Sequence, residues 1–210
     1  MENSSPAGGT RVDGRTRLLD TAEELLDRHG IDGVSVRTVT KAAGHRNSSA
    51  VNYHFGNRDQ LITAVFERRQ KSVEARRSSM LAALEARGDI TPYEAVGLAV
   101  QPLVELLADL PGRRYLRLLH QAANHPDYYL RTVEQYSPSA MRAAAVVMPL
   151  VAHLPRVRQA HRLRLGLGIT LAALADQARL IDTPSPPRPV LDPAELADDL
   201  IRVILAALAA

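Results

Sequence analysis

Residues 33–58 read GVSVRTVTKAAGHRNSSAVNYHFGNR, and how this stretch folds decides how the rest of the chain is understood. It holds four cationic side chains, Arg37, Lys41, Arg46 and Arg58, and two histidines, His45 and His54, with no Asp or Glu. Acidic residues crowd both flanks: Asp20, Glu23, Glu24, Asp27 and Asp32 before it, Asp59 after it. A duplex is a dense line of negative charge, so a surface that lies on one must leave out carboxylates even where its flanks are acidic. The spacing is that of two short helices about a tight turn. Ser35 can cap a helix whose inward face is Val36, Val39, Ala42 and Ala43, ended by Gly44; Asn47 or Ser48 can cap a second through Ala50, Val51 and Phe55, stopped by Gly56. That is the outline of a DNA-reading helix-turn-helix.

Working outward, Leu18, Leu19, Ala22, Leu25 and Leu26 fall on one helical face between Arg15 and His29, with Gly30 as the stop. On the other side Asn57 opens a long helix, with Gln60 placed to reach back in a capping box. Its apolar positions Leu61, Ile62, Val65, Phe66, Val73, Met80, Leu81 and Leu84 carry it to about Arg87. Gly88-Asp89 is the expected seam to a second module. That module repeats one helix-start signal, Thr91-Pro92-Tyr93-Glu94 and Asp192-Pro193-Ala194-Glu195. Breaks are expected at Pro111-Gly112, His125-Pro126, Ser137-Pro138 and Leu154-Pro155, kinks at Pro102 and Pro149, and a stiff surface loop over Pro184–Pro189.

Bulk composition agrees with an all-α chain. Of 210 residues 46% are hydrophobic, led by Ala and Leu, and only 4% are aromatic, so helix formers abound and strand formers are scarce. The absence of cysteine excludes a disulfide framework and a thiolate metal site. No secretory signal and no apolar run of membrane-spanning length is visible, which leads to the expectation of a soluble, cytoplasmic protein without a membrane partner. The net charge of +3 sits in the front: residues 1–88 carry 14 Lys/Arg against 11 Asp/Glu, and residues 89–210 carry 12 against 12.

A helix entering the major groove needs short polar side chains towards the bases and an apolar underside that fixes it. Residues 47–55 supply both. Val51 and Phe55 face inward; Ser48, Ser49 and Asn52 face the groove, with the Asn52 amide suited to adenine. Arg37 can reach a guanine or a phosphate, and Tyr53, His54 and Arg58 suit phosphate oxygens, although His54 between two aromatics is also a candidate for packing.

The stretches VSVRTVTKAAG and AVNYHFGNRDQLITAVF resemble the N-terminal domain of the tetracycline-repressor (TetR) family of bacterial transcription factors, over roughly residues 15–66. The resemblance implies base contacts from Arg37, Ser49 and Asn52 and backbone contacts from Ser35, Tyr53, His54 and Arg58. The turn HRNSS is one residue longer than the commonest family form, so either Ser48 or Ser49 can be the one that faces a base. Arg58 stands where Lys is usual. The resemblance further implies a homodimer held by the last two helices, gripping a palindromic operator in double-stranded DNA and released by an unidentified small-molecule effector. The expected layout is a disordered tail over 1–10, a three-helix DNA-binding domain over 11–56, a connecting helix over 57–88, and an effector-binding and dimerisation domain over 89–210.

In the second module Tyr93, Tyr115, His120, Tyr128 and Tyr136 are the candidate pocket residues. Gly166 and Gly168 in LGLGIT lack the third glycine and preceding strand of a nucleotide loop, and suit instead the close approach of another helix. Gly166, Leu167 and Leu174, with the stripe Leu196, Leu200 and Ile204, are read as a dimer seam on the family resemblance; intrachain core is the other reading. No metal site and no cofactor is expected, because His120 and His125 lack helical spacing and a carboxylate cluster. Two alternatives stand beside the ligand-released repressor: an activator or ligand-independent DNA binder of the same fold, and a helical enzyme. The enzyme reading lacks a nucleophile–base pair, a phosphate loop and a metal cluster.

Overall fold

The computed structural model describes residues 13–45, 49–128 and 137–210. The expected tail over 1–10, Ser48 and Tyr136 lie outside the described residues. Among the described residues there are nine α-helices, one 3-10 segment and no strand. They are α1 (Gly14–His29), α2 (Val36–Ala42), α3 (Ser49–Phe55), α4 (Arg58–Arg87), α5 (Pro92–Val104), the 3-10 turn Glu105–Ala108, α6 (Leu110–Ala123), α7 (Pro138–Val151), α8 (Arg156–Ile181) and α9 (Pro193–Ala209). The all-α architecture expected from composition and periodicity is what is found.

The chain divides into two compact units, Met1–Val65 and Phe66–Ala210. In the first, Leu18, Leu26, Val39, Val51, Leu61, Ile62 and Val65 are buried around a small core. Local signals set its boundaries. Ser35 caps α2 by accepting from the Thr38 amide at 3.1 Å, and Asn57 caps α4 by accepting from the Gln60 amide at 2.9 Å. Gly30, Gly44 and Gly56 all take positive φ, of 76°, 77° and 86°. Only glycine does so without steric cost, so each stops a helix where the sequence placed a stop.

The division falls inside α4, whereas Gly88-Asp89 joins α4 to α5 within the second unit. The cause is a set of polar contacts from the later turns of α4. Gln70 accepts from the Tyr115 hydroxyl at 3.2 Å, and Arg77, only 4% exposed, donates to the Leu98 carbonyl at 2.9 Å and to the Ser137 hydroxyl. The Leu98 carbonyl needs that donor. Its intrahelical partner would be the amide of residue 102, which is proline and has none. Glu74 completes the set: it pairs with Arg77 at 3.0 Å and accepts from the Ser137 hydroxyl and the Ser139 amide, each at 2.9 Å. A carboxylate of α4 thus caps the first turn of α7. Burial alone would raise the Glu74 carboxyl pKa, but the hydrogen bonds from Ser139 and Ser137 and the Arg77 charge outweigh it and hold the pKa below the usual carboxylate range.

Elsewhere in this unit α8 packs along α6 and α9, and α5 along α9 and α7. Arg113 and Arg117 of α6 both pair with Asp182 at the end of α8, at 2.7 and 2.6 Å. The Thr91 start is a complete capping box, and Asp192 accepts from the Ala194 and Glu195 amides. Pro111-Gly112 is a helix start, with Asp109 accepting from the Gly112 amide. Pro102 stands two residues before α5 gives way to the 3-10 turn Glu105–Ala108, and Pro149 two residues before the last residue of α7. The Pro184–Pro189 loop is exposed and tied down by an Arg188–Asp176 ion pair.

Candidate nucleic-acid interface and apolar cavity

The first unit presents a polar edge on an apolar support. In α3, Val51 is fully buried and Phe55 is 8% exposed, while Ser49, Asn52 and Tyr53 are exposed, Tyr53 by 85%. Four-residue spacing puts Val51 and Phe55 one above the other, and the remaining positions turn outward. Phe55 is also held from α1 by the Arg15 guanidinium, 5.0 Å from the ring centroid. On α2, Arg37, Thr38 and Lys41 are exposed opposite the buried Val39 and Thr40. Thr38 and Lys41 were not singled out by sequence reasoning, although their spacing from Arg37 carries the signal.

Two expected phosphate ligands have structural commitments. The Ser35 hydroxyl caps α2 and bonds the Thr38 hydroxyl at 2.7 Å. Arg58 turns back into its own unit: its Nε donates to the Val34 carbonyl at 2.7 Å and its Nη2 to the Ile31 carbonyl. The guanidinium therefore ties the start of α4 to the segment joining α1 and α2. His54 is half-buried, with the Tyr53 ring edge-on at a centroid distance of 4.9 Å, so it shows both the packing and the partial exposure its position allows.

In the second unit the pocket candidates do not converge. Tyr115 is buried on Gln70 and Phe66, Tyr128 is buried against the His125 ring, and Tyr93 is exposed and bonded to Asp198. His120 is half-buried; burial first, then the Arg179 charge, pushes its pKa down. A cavity of about 220 Å³ lies instead among α5, α7, α8 and α9. Its walls include Ala95, Ala99, Ala143, Ala144, Gly166 and Ile204, and among the described residues no ionisable side chain lines it. Among the seam candidates, Gly166, Leu167 and Ile204 line this cavity, while Leu174, Leu196 and Leu200 are buried. At Gly166 an added Cβ would stand 3.2 Å from Ile204 Cγ2, so the helix that approaches this glycine is α9 of the same chain. The exposed apolar and small positions of α8 and α9 are different ones and include Leu165, Gly168, Ala172, Val203 and Ala206. Among the described residues no group of His, Cys, Asp or Glu is arranged to hold a metal ion, and no helix is long and apolar enough to cross a membrane.

A short helix with a polar outer edge, buttressed from beneath and preceded by a capped helix and a glycine turn, defines a helix-turn-helix module joined to a larger helical unit. Comparison with known proteins gives the family. Residues 18–65 match the family model described as bacterial regulatory proteins, tetR family, and residues 98–207 the tetracyclin repressor-like C-terminal domain. The chain belongs to the TetR family and is a DNA-binding transcriptional regulator. It is 24% identical over 184 residues to the HTH-type transcriptional repressor AcnR of Corynebacterium efficiens, covering 86% of this chain and 96% of that one. Its fold is similar to that of the fatty acid degradation regulator FadR from Bacillus halodurans (TM-score 0.56, 13% identity, 95% and 97% coverage). It is also similar to that of the multidrug binding protein EbrR complexed with malachite green (TM-score 0.53, 23% identity, 93% and 98% coverage).

Proposed function

We propose that the protein is a repressor that grips a palindromic operator as a homodimer and is released when a small molecule occupies its second unit. The observation that carries the DNA half is the outward polar edge of α3 over the buried pair Val51 and Phe55. In this reading Asn52, Ser49 and Arg37 contact bases, with Ser48 as the alternative to Ser49, and Tyr53, His54 and Lys41 contact phosphates. Ser35 and Arg58 act mainly by positioning α2 and α4. Two reading helices about 34 to 36 Å apart would meet successive major grooves. Regulation of transcription places the protein with the DNA, in the cytoplasm. We propose binding rather than catalysis: among the described residues the cavity lining holds no ionisable side chain, and its Thr170 hydroxyl has no base beside it in that lining.

The homodimer reading is supported by the exposed face of α8 and α9. Leu165, Gly168 and Ala172 recur at helical spacing on α8, and Val203 and Ala206 on α9. At Gly168 an added Cβ would meet nothing within 4 Å. Charge along the two helices is segregated. The first turns of α8 carry Arg156, Arg158, Arg162 and Arg164, and those of α9 carry Glu195, Asp198 and Asp199. Because α8 and α9 run antiparallel, with Gln177 donating to the Leu191 carbonyl and Arg162 to that of Ala207, the helix pair has a cationic end and an anionic end. A two-fold axis across the helices sets unlike ends together; one along them sets like ends together. The first arrangement is the one proposed.

The test begins with selection of duplexes from a random pool by the protein itself. A two-fold symmetric consensus bound by two chains is expected; an asymmetric consensus bound by one chain would overturn the homodimer. Val203→Asp is expected to give a folded monomer that binds the selected duplex at least tenfold more weakly. Run-off transcription from a promoter carrying the consensus separates repressor from activator.

A further inference from the structure

The cavity among α5, α7, α8 and α9 has a chemistry that limits what can fill it. It exists because short side chains meet there: Ala95 and Ala99 from α5, Ala140, Ala143 and Ala144 from α7, and Gly166 from α8. Val147, Leu163, Ile204 and Leu208 complete an aliphatic wall. Among the described residues the one side-chain polar group in the lining is the Thr170 hydroxyl, and its proton is already given to the Gly166 carbonyl at 2.9 Å. None of the described lining residues can neutralise a charged group, and none offers an uncommitted side-chain donor. A bound water needs two to four polar partners, so ordered water is a poor occupant.

We infer that this cavity takes an uncharged, essentially hydrocarbon molecule of roughly seven to ten carbon atoms, and that such a molecule is the effector. The second half rests on the regulator reading above; the first does not. The size follows from volume. A dry apolar cavity of about 150 Å³ takes a single benzene ring, and at packing fractions of roughly 0.5 to 0.75 a cavity of about 220 Å³ holds the carbon count stated. The class follows from desolvation: an ionised group seated against this lining gives up water and gains no charged partner among the described residues. The position suits an effector. The cavity wall made by Ala140, Ala143, Ala144 and Val147 is one face of α7, whose first turn is capped by Glu74 of α4. A molecule that displaces α7 acts on the bonds between α7 and the helix that also runs into the DNA-binding unit.

The test uses the full chain and two probes of one shape, naphthalene and 1-naphthoate. Saturable one-to-one binding of naphthalene by calorimetry is expected, with 1-naphthoate at least tenfold weaker. Ala99→Leu and Ala144→Leu, which add bulk to the lining from two different helices, α5 and α7, are each expected to weaken naphthalene at least tenfold. Both should keep the helical circular dichroism of the parent. Two variants are used so that one misfolded protein does not decide the question. Naphthoate binding as well as naphthalene, no saturable binding of either, or unchanged naphthalene binding in both filled variants would overturn the ligand class. With the self-selected duplex, saturating naphthalene is expected to raise the dissociation constant at least fivefold. Binding of naphthalene with no change in DNA affinity would overturn the effector assignment and leave the ligand class standing. Failure to select any duplex would instead remove the regulator reading, and the naphthalene titration would still decide the cavity.

Discussion

The reading edge of α3 and the cavity of the second unit are both recognition surfaces, yet they differ in how they are built. The α3 edge must present particular donors and acceptors to a charged, polar partner, so its residue types differ from those of a core: Ser49, Asn52 and Tyr53 outside, Val51 and Phe55 beneath. Apart from Gly166 and Thr170, the described lining of the cavity is alanine, valine, leucine and isoleucine, the same residues that fill the core around it. What sets it apart is volume left unfilled. A polar site announces itself by residue type, and an apolar one only by packing.

The largest expected effect lies where α4 enters the second unit. Arg77→Met leaves the buried Leu98 carbonyl without its donor and the half-buried Glu74 carboxylate without its cation. Together these losses should cost about 2 to 4 kcal/mol, to be read from urea unfolding. The role of Pro102 can be isolated. In a Pro102→Ala background residue 102 regains an amide that can serve the Leu98 carbonyl, so the same Arg77→Met change should cost about 1 kcal/mol less. Equal costs in the two backgrounds would show that the arginine is not there to replace the missing helical donor.

Next come two variants that divide the front unit. Arg58→Ala removes two bonds to backbone carbonyls and should lower the stability of the protein by about 1 to 3 kcal/mol, with the salt dependence of DNA binding nearly unchanged. Asn52→Ala should leave stability alone and lower the preference for the selected duplex over random DNA by about 1 to 3 kcal/mol. If Arg58→Ala instead flattens the salt slope without loss of stability, its guanidinium reaches phosphate after all. Lys41→Ala is the smaller counterpart, expected to weaken both kinds of DNA alike and to reduce the salt slope by about one unit.

These cases show what the sequence could and could not convey. Caps, turn glycines and apolar spacing are local properties, so the boundaries of α1, α2 and α4, the end of α3, and the Thr91 and Asp192 starts were legible; the expected α3 cap at Asn47 or Ser48 lies outside the described residues. The inward and outward faces of α3 were legible for the same reason. The commitment of Arg58 was not, because it depends on carbonyls more than twenty residues away. Nor was the Glu74, Arg77 and Ser137 network, whose members lie up to 63 residues apart. The tyrosines were read as pocket residues on type alone, yet Tyr115 and Tyr128 are large amphipathic side chains that the core accommodates, Tyr115 with a partner for its hydroxyl. Gly166 and Ile204 suit a seam only on the family resemblance, with intrachain core as the other reading, and periodicity cannot say which neighbour a helix face meets.

The smallest expected effect concerns the most legible feature of the second unit, the capping box that starts α5. The Glu94 carboxylate accepts from the Thr91 amide at 3.0 Å and the Thr91 hydroxyl at 2.8 Å, and pairs with Arg87. The backbone bond to Thr91 first, then the Arg87 and Thr91 side chains, lower its pKa to about 2. A carboxyl whose folded pKa is depressed contributes stability that is complete above the ordinary carboxylate range and is lost as pH falls through the folded value. Between about pH 4.5 and 2 the parent protein should therefore lose more stability than Glu94→Gln, and above pH 5 the difference between the two should not vary with pH. The pair is exposed, so added salt should shrink the effect. Parallel unfolding curves across the whole range would mean that the box positions the Thr91 backbone through neutral hydrogen bonds alone. A locally encoded start would then be as indifferent to charge as the cavity it helps to enclose.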